Sequence, residues 1–329
     1  MNYKNKIFAS WPFLDKEEIN NVKKVLDDGW LGSGEFVTKF EKQIKKNLLL
    51  KSGKYVTCIK TGTDAIKIAL CIAGVKRGDE VILPSLNFIG AAQAVIMLGA
   101  KPVLCDINLK TLSLDEKIIS TLITKKTKAI ISVDYSCSIS PIKKIKKVCG
   151  KKVRVIHDAA HSFYSKLNNK YVGNFSDICM FSFDPLKTLT CIDGGALVLN
   201  SKKEYIESRK LRQLGFEINA NVNFFKKKKV NYDIESLGFR DHMTNVNAAV
   251  GISQLKKIRL IKKRKYEIVS FYEKNLKNLK NIKIPNYDKK NIIPFIYPVR
   301  VSKNLRDNLR HFLKKIIFSQ VYIGTRCIK

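Results

Sequence analysis

A chain of 329 residues, 45% of them hydrophobic, is long enough to bury one large core or two smaller ones, and its regular alternation of apolar runs with polar helical faces excludes a disordered or fibrous protein. The net charge of +34 rests on 51 lysines and only 11 arginines; arginine is the residue suited to bidentate phosphate and base contacts, so the charge reads as a solvated lysine-rich surface and no nucleic-acid partner is expected. Eight scattered cysteines without CxxC spacing suggest reduced, buried thiols, and four histidines without HExxH spacing leave no metal site.

The N-terminal stretch MNYKNKIFASWPF has charge but no apolar h-region, which points to a cytoplasmic protein. Two amphipathic helices follow, DKEEINNVKKVLDD and EFVTKFEKQIKKN, separated by the turn-forming GWLGSG. Short apolar runs then alternate with helices: KYVTCI before TDAIKIALCIAG, EVILP before FIGAAQAVIMLG, KPVLCDI before a helix around Leu114 to Leu122, and then KAIISVD, VRVIHD, ICMFSF and GALVLN. The longest apolar stretch, Val81 to Ala100, is broken by Pro84, Asn87, Gly90 and Gln93, so it reads as strand, turn and buried helix and no membrane insertion is expected. The alternation predicts an α/β fold, a mostly parallel central sheet flanked by helices, with active-site residues at the carboxyl ends of its strands. Beyond residue 200 come the basic helix KKEYIESRKLRQLG, a polar segment at 217–235 whose KKKK run reads as a solvated loop, and a long helix from about Thr244 to Leu279. The strand-like IIPFIYPVRV and a helix around Leu305 to Lys315 complete the chain, so a large domain at 1–243 and a linking helix with a small C-terminal α+β domain at 244–329 are predicted.

Lys187 is the one lysine between residues 171 and 201, where the chain average would place about five. It follows the apolar strand ICMFSF in SFDPLKTLTCIDGG, a position where partial desolvation lowers an amine's pKa and lets it attack an aldehyde. Such a lysine serves pyridoxal 5′-phosphate (PLP), which also needs an anion for its ring nitrogen, a flat apolar face, a phosphate cup and a donor near its phenolate. Asp158 closes the strand VRVIHD and can supply the anion, although a carboxylate there also suits a helix N-cap. His161, one helical turn on, is placed to donate to the phenolate. In KTGTDA a strand ends at Gly62 and a helix begins with Thr63 and Asp64, which fits an anion cup or a plain capping sequence equally well. Ser182 is a second phosphate candidate, and Phe88 in PSLNF is either a stacking face or core.

Taken in order, SWPFLDKEEINNVKKVLDDGWLGSG, GTDAIKIAL, GDEVILPSLNF, GAKPVLCDI, HDAAHSF, SFDPLKTLT and GFRDHMTNVNAAVGISQL resemble the DegT/DnrJ/EryC1/StrS family of PLP-dependent sugar aminotransferases over most of residues 10 to 260. The resemblance implies the type I PLP-dependent transferase fold and a homodimer with active sites at its interface. It also implies transfer of an amino group from glutamate to a keto group of a nucleotide-activated deoxy sugar, for cell-surface polysaccharide or another glycoconjugate. Carried over, Lys187 is the Schiff-base lysine and proton carrier, Asp158 pairs with the pyridine nitrogen and His161 sits near the phenolate. Phe88 stacks, and Thr63, Asp64 and Ser182 hold the phosphate. GFRDHM reaches the neighbouring subunit's cofactor with Arg240 where many relatives carry Asn, and a lysine at 187 disfavours the deoxygenating branch, which carries His there.

The chain departs from the family pattern at several points. His157 replaces a Glu, Tyr164 a Gly, and Ile192 and Asp193 a Gly-Glu pair, while SCSISP at 136–141 lacks the usual Gly-Gln-Pro. The ending FSQVYIGTRCIK reads as a truncation or shifted frame where relatives continue. These departures support an alternative expectation, a catalytically impaired PLP-fold protein that only binds cofactor or sugar nucleotide.

Overall fold

The seven apolar runs form the seven strands of one sheet: β1 (Tyr55–Ile59), β2 (Glu80–Pro84), β3 (Lys101–Cys105), β4 (Thr127–Val133), β5 (Arg154–Asp158), β6 (Ile178–Ser182) and β7 (Gly195–Leu199). The computed structural model describes residues 7–8, 11–136, 138–216, 234 and 236–318. The sheet order is β1-β7-β6-β5-β4-β2-β3, parallel except for β7, which runs antiparallel to both β1 and β6. β6 and β7 are buried along their whole length, as expected of runs with no polar face. β1 and β3 are the two edge strands, and the Lys101 and Pro102 that open β3 suit a position with an unpaired flank.

Helices cover both faces. α1 (Lys16–Asp27) opens with a capping box, Asp15 accepting from the Glu17 N–H while Glu18 Oε2 accepts from the Asp15 N–H, which is why DKEE starts it. α1 and α2 (Glu35–Asn47) pack on α8 (Asn245–Leu276), and on that face Phe40 and Ile44 meet Phe163, Phe181 and Phe183. On the other face α3 (Gly62–Ile72) and α4 (Ile89–Met97) bury Ile66, Ala69, Leu70, Ala91 and Val95 against Val81, Ala129, Ile131 and Leu197. α5 (Glu116–Leu122) and α6 (Ile142–Cys149) contribute Ile119, Ile142 and Ile145 to a third cluster, and α7 (Lys202–Leu211) follows β7. Among the described residues no helix is long and apolar enough to cross a membrane.

The C-terminal region differs from expectation. Of IIPFIYPVRV only Arg300–Val301 is a strand, paired antiparallel with Ile282–Lys283, before α9 (Lys303–Ile316). Pro294 and Pro298 have no N–H to give a ladder, so the run is apolar without being a strand. The KKKK run at 226–229 lies outside the described residues, as do Cys137 and 319–329.

One buried ion pair ties α2 to β1 and to the end of α7. Arg212 Nη1 lies 2.7 Å from Glu41 Oε1, which also accepts from the Cys58 N–H at 2.8 Å, while Arg212 donates to the Cys58 carbonyl. Both side chains are buried, so removing one charge strands the other. Glu41→Ala should lower the unfolding free energy by about 3–5 kcal/mol in denaturant titration, and a Glu41→Met, Arg212→Leu double variant should recover most of it.

Candidate active site

Lys187 follows β6 in a tight turn: Asp184 Oδ1 accepts from the Leu186 N–H at 2.9 Å and the Asp184 carbonyl from the Lys187 N–H at 3.0 Å. The turn points the lysine inward, where burial holds its pKa below the usual lysine value although Asp158 and Asp184 pull the other way. Asp158 ends β5, and burial raises its carboxyl to about 6 against the opposing pull of the Ala160 N–H, at 3.0 Å from Oδ1, and of Lys187. The sequence left a helix N-cap open for this carboxylate; instead it closes a two-residue turn, and no helix starts at 159. His161 is likewise in a turn rather than one helical turn on. Its Nδ1 accepts from the Ser136 N–H at 3.2 Å, and burial together with Lys187 and Lys265 keeps its pKa well below the usual value. A neutral imidazole accepting at Nδ1 carries its proton on Nε2, which makes His161 a hydrogen-bond donor.

The glycines show how closely the other candidates approach. A Cβ on Gly62, the first residue of α3, would lie 2.8 Å from Ser182 Oγ, and one on Gly195 would lie 2.5 Å from the Thr61 carbonyl oxygen. A Cβ on Gly90 would lie 2.8 Å from Thr63 Oγ1 and 3.0 Å from the Phe88 ring. Thr63, Ser182 and the start of α4 therefore gather at the N-terminal end of α3, where the helix dipole favours an anion. Thr61 caps that helix by accepting from the Asp64 N–H at 3.0 Å.

Three expectations need restating. The Asp64 side chain braces the turn: its Oδ2 accepts from Thr61 Oγ1 at 2.8 Å and its Oδ1 is 3.0 Å from Lys67 Nζ. Phe88 is 64% exposed and sits at the N-cap of α4, open to any ligand or neighbouring chain. Arg240 is exposed on a backbone bridge to Gln213, and the next residue, Asp241, is anchored to Lys67 at 2.7 Å.

The departures from the family pattern find physical partners. His157 is fully buried with Nε2 2.7 Å from Asp134 Oδ1, and although burial opposes its charge, Asp134 and Cys179 raise its pKa to about 10. Asp134 also accepts from the Ser140 N–H at 2.7 Å and from Ser162 Oγ, so it braces the turn that carries His161. Asp134 was legible as the Asp that ends KAIISVD, as Asp158 ends VRVIHD, but the reading passed over it. Tyr164 and Ile192 both adopt positive φ, 64° and 70°, which is the conformation a glycine would take there without strain. Tyr164 is buried and packs its ring 4.8 Å from Tyr171, whereas Ile192 is 52% exposed.

This arrangement fits PLP. Burial works against the charged form of both the Lys187 amine and the Asp158 carboxyl, and a cationic ring nitrogen would give that carboxylate a further partner. Among the described residues no group of three or more His, Cys, Asp or Glu side chains is gathered as a metal site.

The DegT/DnrJ/EryC1/StrS aminotransferase family model matches residues 12–327. A GDP-perosamine synthase of Escherichia coli O157:H7 is 34% identical over 272 residues, 82% of this chain and 71% of its own length. The spore coat polysaccharide biosynthesis protein SpsC of Bacillus subtilis is 32% identical over 267 residues, 80% and 67% of the two chains. Among solved structures, the aminotransferase TlmJ from Streptoalloteichus hindustanus superposes with a TM-score of 0.85 at 27% identity, covering 94% of this chain and 82% of its own.

Two consequences are measurable. His157 holds its proton in the folded state up to about pH 10 but only to about 6.5 when unfolded, so the pair's contribution is whole below pH 6.5 and is lost as pH rises towards 10. His157→Gln should flatten that fall in denaturation curves and lower stability at pH 7 by about 3–5 kcal/mol. Ile192→Gly should raise the unfolding free energy by about 1 kcal/mol with an unchanged denaturant slope, because relief of a β-branched residue at positive φ outweighs the entropy glycine adds to the unfolded chain.

Proposed function

The chain belongs to the DegT/DnrJ/EryC1/StrS aminotransferase family, and from that premise we propose that it moves the amino group of glutamate to a keto group of a nucleotide-activated deoxy sugar, using PLP held at Lys187. The observation that carries the reading is a half-buried lysine with a lowered pKa, in the turn after β6, within the electrostatic reach of the buried carboxylate that ends the neighbouring strand β5. PLP, when bound, supplies an aldehyde that condenses with amines and a protonated ring that accepts an electron pair.

The chain's own residues do the rest. Lys187, whose pKa burial lowers, is the amine that would hold the cofactor and the base that would carry the proton between carbon atoms. Asp158 keeps the ring nitrogen protonated, gaining a partner for its buried charge. His161 donates from Nε2 to the phenolate, its ring orientation set by the Ser136 N–H. Thr63 and Ser182, with the N–H groups at the start of α3, receive the phosphate, while Asp64 holds that turn in shape. Phe88 covers a ring face, and Arg240 lies exposed where a second copy can meet it.

A cytoplasmic homodimer serving polysaccharide or other glycoconjugate synthesis, with the small domain beginning at residue 244, belongs to the same proposal. The relatives' names support the nucleotide-sugar class: one is a GDP-perosamine synthase and another a spore coat polysaccharide protein. The binding-only alternative rests on the C-terminal ending and the local departures; of the latter, His157 and Tyr164 have partners of their own.

Purified protein mixed with PLP should show a visible absorbance band that Lys187→Ala lacks and that glutamate bleaches. Amino transfer to a keto-sugar nucleotide should fall below detection in the Lys187→Ala variant. A lysine-dependent band that no amino donor alters would establish the binding-only protein instead, and a wild type without any band would overturn the assignment of Lys187.

A further inference from the structure

The C-terminal region reaches the site through the non-strand segment 291–297. It is fastened along its length: the Lys166 N–H donates to the Asn291 carbonyl at 2.8 Å, and the Ile293 N–H donates to Ser165 Oγ at 2.9 Å. Tyr266 Oη donates to the Ile292 carbonyl and Ser136 Oγ to the Ile296 carbonyl. Beyond these ties the Tyr297 ring stacks on Tyr272 of α8 at 5.4 Å. The ties on either side of Phe295 hold its backbone over the site. Its ring centroid is 4.6 Å from Lys187 Nζ and 4.3 Å from the His161 ring, with Lys265 Nζ at 5.7 Å.

We propose that Phe295 is a positioning residue of the site, carried on the strap 291–297 to set its ring face against the Lys187 amine and to keep a tilted ring contact with His161. The inference rests on Lys187 being the reactive amine and adds a residue to that reading. An aromatic face attracts a cation through its quadrupole, and more so where water is excluded. Lys187 is half-buried, with its Nζ 4.6 Å from the centre of this ring and under the electrostatic influence of Asp158 and Asp184. The ring therefore favours the amine near itself when the amine carries charge. It also limits where the lysine chain can swing, a constraint that matters when one nitrogen must serve as both tether and proton carrier. The same ring packs on His161, whose other nitrogen is fixed by the Ser136 N–H, and Ser136 is itself tied to the strap through Ile296.

The test uses the full-length, cofactor-free protein, so that it does not depend on catalysis. Lysine acylation is followed by peptide mass spectrometry as a function of pH, for wild type, Phe295→Leu and Phe295→Tyr. Phe295→Leu keeps apolar bulk but loses the aromatic face, so the reactivity midpoint of Lys187 should fall by about half a pH unit or more, while Phe295→Tyr stays near wild type. A Leu midpoint that equals or exceeds that of wild type, or Leu and Tyr midpoints that move together, overturns the proposal. A lowered melting temperature with no movement of the midpoint does so too, because it marks Phe295 as packing alone. Addition of PLP to the same samples keeps the two readings apart: a lysine-dependent band in wild type together with an unmoved Leu midpoint sinks the role of Phe295 and leaves Lys187 standing.

Discussion

Two carboxylates buried side by side at the ends of neighbouring strands are the constraint on which the site depends. β4 and β5 pair in parallel with Val133 opposite Asp158, so Asp134, the next residue, emerges beside Asp158, and its N–H donates to the Asp158 carbonyl at 2.9 Å. The chain treats these two carboxylates differently. Asp134 receives a buried imidazolium, a backbone N–H and a hydroxyl, all from within the chain. Asp158 receives one backbone N–H and the more distant charge of Lys187, and its pKa stands at about 6. The first carboxylate is a structural brace; the second has fewer partners within the chain. The ring nitrogen of a bound cofactor is the kind of cation that would complete it.

Much of this could be read in the amino-acid sequence because parallel sheets announce themselves. Each of the seven strands is a run of five to seven residues with no polar face, bounded by turn residues, and such runs have few alternative burial solutions. Residues at their carboxyl ends, Asp158 and Ser182, and Lys187 shortly beyond, then share a neighbourhood by topology alone. What could not be read was which way a side chain turns once there. Asp64 looked like an anion ligand from its place in KTGTDA, but the lysine three residues on and the threonine three residues back claim both its oxygens. Phe295 gave no local signal, since IIPFIYPVRV reads as a strand until its two prolines are counted against the ladder. Its place over Lys187 comes from ties to Ser165, Tyr266 and Ser136, spread across the chain.

The departures from the family pattern are of two physical kinds. His157 exchanges one buried polar group for another and brings its own compensation, because Asp134 lies 2.7 Å away in the adjacent strand's exit. Tyr164 and Ile192 instead place a side chain where the backbone is left-handed, a conformation that disfavours any Cβ and a β-branched one most of all. Tyr164 offsets the strain by burying a ring against Tyr171, whose phenol is raised to about 12 by burial and by its hydrogen bond with Tyr164. Ile192 is half exposed and has no comparable burial. Its loop is held from outside: Asn247 of α8 donates to the carbonyls of Cys191 at 2.8 Å and Asp193 at 2.7 Å, on either side of the strained residue. The first turn of the long helix thus fixes the loop that follows Lys187, and strain at 192 persists because its flanks cannot relax.

The same reasoning explains why one lysine stands apart in a chain with 51 of them. A surface lysine is solvated and stays protonated, and a cluster of them lowers each other's pKa only weakly through water. Lys187 is taken out of water, which works against its charge, and is then given Asp158, Asp184 and the face of Phe295, which work in favour of it. Neither influence alone would suit an amine that has to lose and regain a proton. Desolvation without partners would leave it permanently neutral, and partners without desolvation would leave it permanently charged. The balance needs elements from distant parts of the chain to meet at one nitrogen: a strand end at 158, a turn at 184–187 and a strap at 291–297.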